Sequence, residues 1–291
     1  MGPTTRIALG TVQFGLDYGI ANRGGKVGRD EVRSILACAL AEGVDMLDTA
    51  ATYGGSESVL GEIGIPGFRV VTKLPALPAG TSDVVRWVEE QARSSLGRLR
   101  VAGVYGLLLH RPCQLLESGG DALYSALARL KEKGVVRKIG VSIYSPEELE
   151  GLVGRFALDI VQAPLNILDR RLVETGWLDR LRSSAVEVHA RSAFLQGLLV
   201  MGRSAIPPRF ARWAPLWDRW SRWILDTGQD PVHACLRFVL AQPVDRVIVG
   251  ADSLAQFAHA ASVPSVPGPI PPEDLSSVDE QLINPSTWGT P

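Results

Sequence analysis

Residues 44–54 read V-D-M-L-D-T-A-A-T-Y-G, a short apolar run that ends in Asp48 and leads into a loop that carries Tyr53. The next apolar runs along the chain are R-V-V-T-K at residues 69–73 and V-Y-G-L-L-L-H at residues 104–110. Short runs of this kind, separated by longer amphipathic stretches, are typical of strands that alternate with helices. The three segments therefore predict consecutive strands of a parallel sheet, each with a chemically distinctive residue at or just beyond its carboxyl end.

Eight such runs occur in the 291 residues, at 6–9, 44–47, 69–72, 104–109, 137–141, 159–162, 186–190 and 246–249. The stretches between them predict helices at 30–41, 82–99, 122–133, 146–155, 172–183, 231–240 and 254–260. Eight strand–helix repeats favour an α/β fold of the (β/α)8 TIM-barrel type, as one domain over residues 1–291. An open doubly wound sheet is the alternative, but G-T-V-Q at 10–13 does not supply its G-x-G-x-x-G turn.

Two segments interrupt or follow the repeat. Residues 201–228 hold Trp213, Trp217, Trp220 and Trp223 among prolines and arginines, which we interpret as an inserted loop or lid. The tryptophan spacing of three and four is also typical of the packed face of a helix, so ligand contact and core packing both stay open. Residues 263–291 are rich in proline and serine and are expected to form a surface tail.

Composition narrows the function classes. The chain has 30 basic and 31 acidic side chains, a balance that gives no electrostatic attraction to nucleic acid or to an anionic membrane surface. Cys38, Cys113 and Cys235 match neither a disulfide framework nor a zinc-ligand spacing, and no segment is a candidate membrane span. We therefore expect a cytoplasmic protein without a bound metal; the sequence leaves its oligomeric state open.

Four residues at neighbouring strand ends are predicted to form one site. In a barrel, the carboxyl ends of the strands form the active-site face. Asp48 and Tyr53 follow the second strand, Lys73 ends the third, and His110 follows the fourth. Because neighbouring strands lie about 5 Å apart, these side chains can converge although they are distant in sequence.

The chemistry of these four residue types indicates carbonyl reduction. A lysine on an apolar strand needs a counter-ion, and Asp48 on the adjacent strand is the natural one. We expect the Lys73 ammonium to lower the pKa of the Tyr53 phenol, which would make Tyr53 a general acid. His110 can donate a hydrogen bond to a carbonyl oxygen and stabilise the alkoxide as it forms. Each residue alone also has a structural interpretation, as a turn cap, a surface aromatic, a rim lysine or a turn histidine.

At this point the chain resembles the aldo-keto reductase superfamily. The resemblance is carried by L-G-T-V-Q-F-G at 9–15, D-T-A-A-T-Y-G at 48–54, K-I-G-V-S at 138–142, Q-A-P-L-N at 162–166 and F-L-Q-G-L-L at 194–199. It implies that Asp48, Tyr53, Lys73 and His110 are the catalytic tetrad. It also implies that NADPH or NADH binds in an extended pose across the barrel mouth, with Gly10 and Thr11 near the nicotinamide.

The resemblance implies further cofactor contacts, and the chain departs from several of them. The family usually has Ser-Asn after the fifth strand, whereas this chain has Ser142-Ile143; Gln162 retains a second carboxamide ligand. Arg191 stands where an aromatic residue usually stacks on the nicotinamide, and its guanidinium could either stack there or grip an anionic substrate. The following loop adds further implied cofactor contacts at Ser192, Leu195 and Gly197.

The segment after the eighth strand departs most. Relatives carry a basic and hydroxyl pair, an arginine and Glu-Asn there to hold the 2′-phosphate and adenine. In this chain those positions hold Gly250-Ala251, Gln256 and His259-Ala260. Asp252 would repel a 2′-phosphate and accept a hydrogen bond from a ribose hydroxyl, although it could equally be a solvated turn residue. The helix at 254–260, capped by Ser253, could offer its amino end to the pyrophosphate.

Three functions follow from these observations. The first is NAD(P)H-dependent reduction of a polar aldehyde or ketone, with sugar-like and anionic substrates both left open and with Arg191 and Arg111 as candidate anion contacts. The second is a redox-neutral epimerase, isomerase or dehydratase that retains its nicotinamide. The third is a non-catalytic barrel that binds dinucleotide. The complete set of four candidate catalytic residues argues against the third.

Overall fold

The computed structural model describes residues 5–288, in which eight parallel strands close into a barrel in chain order. β1 pairs with β8 through Leu9 opposite Val249, which closes the ring. The predicted (β/α)8 barrel is confirmed, and each predicted strand overlaps an observed one. The strands are β1 (Ile7–Gly10), β2 (Met46–Asp48), β3 (Arg69–Leu74), β4 (Val104–Leu109), β5 (Val136–Ser142), β6 (Ile160–Pro164), β7 (Glu187–Arg191) and β8 (Arg246–Gly250).

Helices pack around the outside of the barrel because each presents one apolar stripe to it. In the longest, the buried residues are Val88, Ala92, Ser95 and Leu99, which recur at helical spacing on one face. The α-helices are α1 (Arg29–Ala41), α2 (Ser56–Ile63), α3 (Val84–Leu99), α4 (Gly120–Glu132), α5 (Arg171–Glu174), α6 (Trp177–Ser183), α7 (Ala214–Thr227), α8 (Pro231–Leu240), α9 (Leu254–Ala261) and α10 (Glu280–Ile283).

Two helix predictions need correction, and helix α2 was missed. The helix predicted at 146–155 is only a 3-10 turn at Pro146–Leu149, because Gly151 and Gly154 adopt φ of 79° and 98° and turn the chain. The helix predicted at 172–183 is split into α5 and α6 at Gly176, whose φ is 75°. Helix α2 was not predicted, since it begins directly after the loop that carries Tyr53.

The barrel interior determines which side chains meet at its mouth. Ala8, Met46, Val71, Leu108 and Ile160 form a buried cluster of their own. Side chains two positions apart on a strand point to the same face. Asp48 follows Met46, and Lys73 follows Val71, by two positions. The two charged residues therefore lie in the layer above this cluster, towards the carboxyl ends of the strands.

A second apolar cluster lies between the 201–228 segment and the chain's last part. Residues 201–228 are largely helical, which corrects the expectation of a loop or lid, and Trp217 and Trp220 are buried. They pack in one cluster with Phe210 and with residues of the expected tail, namely Leu275, Leu282 and Ile283. The tryptophan spacing therefore reflects helix packing. Positions 289–291 of the expected tail lie outside the described residues.

A polar cluster occupies the amino-terminal end of the barrel. The Tyr105 hydroxyl donates to Glu187 Oε1 at 2.7 Å, Lys138 Nζ lies 2.8 Å from the same oxygen, and His189 Nε2 lies 3.4 Å from Oε2. We call these four residues the floor cluster. Burial raises the pKa of Glu187, but the three neighbouring groups outweigh burial and lower that pKa to about 2.

No helix within residues 5–288 is long and apolar enough to cross a membrane.

Candidate active site

Lys73 and Asp48 form a buried ion pair at the carboxyl ends of β3 and β2. Lys73 Nζ lies 2.9 and 2.8 Å from the two Asp48 oxygens and 2.9 Å from the carbonyl oxygen of Thr49. The lysine is completely buried. Burial lowers its pKa, and the Asp48 carboxylate opposes that shift. The paired carboxylate is what allows an ammonium to stand inside the barrel.

Asp48 is also held from the opposite wall of the barrel. Gln162 Nε2 donates to Asp48 Oδ1 at 2.7 Å, and Ser142 Oγ donates to Gln162 Oε1 at 3.0 Å. Gln162 is completely buried. Both of its amide atoms are therefore engaged by protein, and Gln162 supports the Asp48 carboxylate in this state. Of the two predicted carboxamide ligands, only Ser142 lines the open space above.

The Tyr53 hydroxyl lies beside this ion pair, 3.4 Å from Lys73 Nζ. Burial, and then the Asp48 carboxylate, raise the pKa of Tyr53 above that of a free phenol, while the Arg191 guanidinium opposes the shift. The expectation that Lys73 lowers this pKa is therefore wrong for the protein alone. The physical reason is that burial disfavours the charged phenolate, and the nearby Asp48 carboxylate repels it. At neutral pH the phenol keeps its proton.

His110 stands next to Tyr53 with its ring edge-on, at 6.0 Å between ring centroids. Its Nδ1 lies 3.1 Å from the Thr52 hydroxyl. Burial, and then the charges of Lys73 and Arg191, lower the pKa of His110 to about 4. The imidazole is therefore neutral at physiological pH. If the Thr52 hydroxyl donates to Nδ1, the proton of the ring is on Nε2.

These residues border a cavity of about 430 Å³ at the mouth of the barrel. Asp48, Tyr53 and His110 line it, while Lys73 lies behind them. Three predicted cofactor contacts lie outside the lining: Gln162 and Leu195 are completely buried, and Ser253 caps α9. The others all line it, namely Gly10, Thr11, Asp48, Ser142, Arg191, Ser192, Gly197, Gly250, Asp252 and Gln256.

The segment after β8 is already hydrogen-bonded by protein groups. The Ser253 hydroxyl accepts from the Gln256 N–H, as expected for a cap, and Glu31 Oε1 accepts from the Leu254 N–H at 2.6 Å. The amino end of α9 is thus less open to a pyrophosphate than the sequence suggested. Asp252 Oδ1 accepts from Asn22 Nδ2 at 3.2 Å, and burial raises the Asp252 pKa.

A side chain at position 250 would meet the side chain of Gln13. A Cβ at this position would lie 2.8 Å from both amide heteroatoms of Gln13. The Gln13 side chain thus fills the space beside β8 where relatives carry a basic residue. Its Oε1 atom is buried and has no hydrogen-bond partner among residues 5–288. Gln13 also lines the cavity, so it offers an unused acceptor to a ligand with N–H or O–H groups.

The loop after β1 crosses the groove between the segments that follow β7 and β8. The Ile20 N–H donates to the Gln196 carbonyl at 3.1 Å, and Asn22 bonds Asp252 on the other side. We call residues 18–25 the strap. Asn22 Oδ1 accepts from the N–H groups of Gly24 and Gly25, which fixes the turn of the strap. The strap therefore covers part of the groove that the cavity follows.

Sequence reasoning missed several residues of the cavity wall. Gln13, Tyr18 and Asn22 come from the loop after β1, and Tyr144 and Gln196 follow β5 and β7. Their position after the carboxyl end of a strand was the only signal, and it would have found Tyr144 next to Ile143.

A further group, Asp230, His233 and His259, brings potential metal ligands within 4.8 Å of one another. Hydrogen bonds within that group engage His233 Nε2 and His259 Nε2, so we assign it no ion.

Comparison with known proteins identifies the family. A model of the aldo/keto reductase family matches residues 6–283. An aldo-keto reductase of Mycolicibacterium smegmatis is 30% identical over 227 residues, which cover 64% of this chain and 77% of that protein. The uncharacterized oxidoreductase YqkF of Bacillus subtilis is 28% identical over 183 residues, 59% of this chain and 58% of that protein.

Solved structures show the same fold. The putative aldo-keto reductase PA4992 of Pseudomonas aeruginosa has a TM-score of 0.67 at 24% identity, with 89% of each chain covered. The holo form of aldo-keto reductase AKR11C1 of Bacillus halodurans has a TM-score of 0.71 at 20% identity, with 92% of this chain and 89% of that chain covered. The barrel, the site at its mouth and the family match over nearly the whole length agree. The chain belongs to the aldo/keto reductase family and is an NAD(P)H-dependent oxidoreductase.

Proposed function

We propose that the protein reduces the carbonyl group of a small aldehyde or ketone and that Tyr53 is the general acid. The observation that carries the proposal is the Tyr53 hydroxyl, which stands on the cavity wall 3.4 Å from the Lys73 ammonium. The raised pKa of Tyr53 keeps the phenol protonated until a stronger base forms beside it. The alkoxide that develops during carbonyl reduction is such a base.

The reaction needs a hydride and a proton. With NADH or NADPH held in this cavity, the hydride for the carbonyl carbon would come from the nicotinamide. The Tyr53 hydroxyl gives its proton to the carbonyl oxygen, and the Lys73 ammonium stabilises the phenolate that remains. Neutral His110, with its proton on Nε2, donates a hydrogen bond that orients the carbonyl oxygen. Asp48 holds Lys73 in place, and solvent returns a proton to Tyr53.

The cavity wall fits a dinucleotide. It extends from Tyr53 and His110 at one end to Asp252, Gln256 and His259 after β8, which suits an extended ligand. The unpartnered Gln13 Oε1 suits a carboxamide N–H or a ribose hydroxyl. Within the same proposal, Ser142 holds the carboxamide, Gly10 and Thr11 lie near the nicotinamide, and Ser192 and Gly197 line its path.

We infer that the advantage of NADPH over NADH is absent or small. Two carboxylates, Asp252 and Glu31, lie at the segment that holds the 2′-phosphate in relatives, and Gln13 fills the place of a basic residue there. Dissociation constants for NADH and NADPH test this, and we expect Asp252→Asn to favour NADPH relative to the wild type. A preference for NADPH beyond about a hundredfold in the wild type would contradict it.

Turnover tests the general acid. We expect NADH oxidation with a panel of polar aldehydes and ketones, and its loss in Tyr53→Phe without loss of NADH binding. Unchanged turnover in Tyr53→Phe would refute the role of the phenol.

The three unpaired cysteines are compatible with a reducing compartment, and we place the enzyme in the cytoplasm as part of the proposal.

One observation favours a second candidate function. Because the strap is hydrogen-bonded on both sides of the groove, it could retain a nicotinamide through a full reaction cycle, as a redox-neutral epimerase, isomerase or dehydratase requires. The purified protein would then carry a stoichiometric dinucleotide and convert substrate without net oxidation of NADH. Protein that carries no dinucleotide and consumes one NADH per product excludes this alternative.

A further inference from the structure

Arg191 is a fixed cation in the wall of the active-site cavity. It ends β7, and its Nη2 donates to the Ile143 carbonyl at 2.8 Å while Nη1 donates to Ser192 Oγ at 3.0 Å. The guanidinium carbon lies 4.4 Å from the centre of the Tyr144 ring. One face of the guanidinium is thus covered and two of its N–H groups are used. A guanidinium has five N–H donors, so three have no acceptor among residues 5–288.

The charge of Arg191 is not balanced nearby. Within the described part of the chain it forms no ion pair. The Asp48 carboxylate is paired with Lys73, and the other carboxylate of the cavity wall, Asp252, forms no ion pair with Arg191 and lies after β8, towards the other end of the cavity from Tyr53. Tyr18, whose pKa burial raises to about 12, and His110, whose pKa burial lowers to about 4, are uncharged at neutral pH. The wall around the Tyr53 hydroxyl therefore presents one uncompensated positive charge.

We propose that Arg191 binds a carboxylate of the substrate, so that the enzyme's carbonyl substrates are oxo acids. This inference rests on the proposed carbonyl reduction and names its substrate class. A planar fork of N–H donors matches a carboxylate, and Tyr144 holds the fork in one orientation. The alternative role, stacking on the nicotinamide, has only the face opposite Tyr144 available to it.

Three pairs of aldehydes test the proposal. The 2-, 3- and 4-carboxybenzaldehydes place the carboxylate at different distances from the carbonyl, and each has a methyl ester without the charge. For at least one pair, we expect kcat/KM to favour the acid over its ester by about tenfold or more, the size expected for a charge-assisted hydrogen bond. A ratio near one for all three pairs would overturn the proposal.

Variants locate the effect. Arg191→Gln should bring the acid-to-ester ratio close to one, and Arg191→Lys should leave it intermediate. Arg86→Gln is the matched control, because Arg86 is exposed on α3 and lies outside the cavity lining; it should keep the wild-type ratio. Arg111, the other candidate anion contact from the sequence, is exposed and also lies outside the lining. If Arg191→Gln does not fold, Tyr144→Leu keeps the charge but removes the supporting ring, and it should lower the ratio several-fold. A wild-type ratio in both Arg191→Gln and Tyr144→Leu contradicts the inference.

A binding measurement separates this inference from the proposed function. Calorimetry with the corresponding carboxybenzyl alcohols and their methyl esters, in the presence of NAD⁺, needs no turnover. Acid binding that is at least about tenfold stronger and is lost in Arg191→Gln supports the anion site even if no aldehyde is reduced. An NADH dissociation constant that rises in Arg191→Gln as much as that of the acid would assign Arg191 to the cofactor and overturn the proposal.

Discussion

The two ends of the barrel carry the same four kinds of side chain. At the mouth these are Asp48, Tyr53, Lys73 and His110, and in the floor cluster they are Glu187, Tyr105, Lys138 and His189. The arrangements differ in one respect that matters. The phenol of the floor cluster donates a hydrogen bond to the carboxylate at 2.7 Å. The phenol at the mouth lies beside the ammonium and faces a cavity.

This difference shows that a set of residue types does not define a site. In the floor cluster, the proton of the tyrosine is bound by a carboxylate and cannot reach a ligand. At the mouth, the carboxylate is occupied by lysine and glutamine, so the tyrosine proton is available. The two sites differ in which strand carries each residue and in which end of the barrel the side chains face.

The largest expected effect is on turnover. Tyr53→Phe should lower kcat by about 10²–10⁴-fold, the usual contribution of a general acid. Tyr105→Phe, the same change at the other end of the barrel, should leave kcat within about twofold of the wild type. Steady-state NADH oxidation measures both. Equal losses in the two variants would mean that the loss reflects folding and not proton transfer.

Replacing the lysine at each end of the barrel should lower the free energy of unfolding by different amounts. Lys73→Met leaves the buried Asp48 carboxylate without its cation, which should cost about 3–5 kcal/mol of unfolding free energy. Lys138→Met should cost about 1 kcal/mol or less, because Glu187 is partly exposed and keeps other partners. Urea unfolding measures both values. Addition of Asp48→Asn to Lys73→Met should recover part of the loss; a further loss would contradict an unpaired charge as its cause.

The floor cluster should give the protein an acid-dependent stability. The pKa of Glu187 is lowered from 4.5 to about 2 in the folded chain. A lowered folded-state pKa means that the stabilisation is complete above about pH 4.5 and disappears as the pH falls towards 2. The loss from this group should be of the order of 2–3 kcal/mol. Unfolding free energies measured across this range should fall less steeply in Glu187→Gln; the same slope would contradict the assignment.

The smallest expected effect concerns Thr52. Thr52→Val removes the hydroxyl beside His110 Nδ1 and should lower kcat/KM by about two- to tenfold, the value of one hydrogen bond. Thr52→Ser keeps the hydroxyl and should restore the rate. In the wild type, activity should decline as His110 becomes protonated near pH 4. A Thr52→Ser variant as slow as Thr52→Val would show that the methyl group, not the hydroxyl, is what matters.

Much of the architecture could be predicted from the sequence, because strands and their carboxyl ends depend on local apolar runs. The eight strands and the meeting of Asp48, Tyr53, Lys73 and His110 follow from that pattern. The direction of the Tyr53 pKa shift could not be predicted, since it depends on how deeply the phenol is buried and how close the Asp48 carboxylate lies, and both are set by the folded structure. The floor cluster was also missed, because Tyr105, Lys138 and Glu187 stand at strand beginnings, where no functional group was sought.

The contact between Gly250 and Gln13 has a consequence for protein engineering. A lysine or arginine grafted at position 250 to accept NADPH would meet the Gln13 amide, 2.8 Å from the new Cβ, so the flexible Gln13 side chain would have to swing aside. Redesign of nucleotide preference therefore involves the first loop of the chain as well as the segment behind the eighth strand, and a smaller residue at position 13 would make room for the added charge.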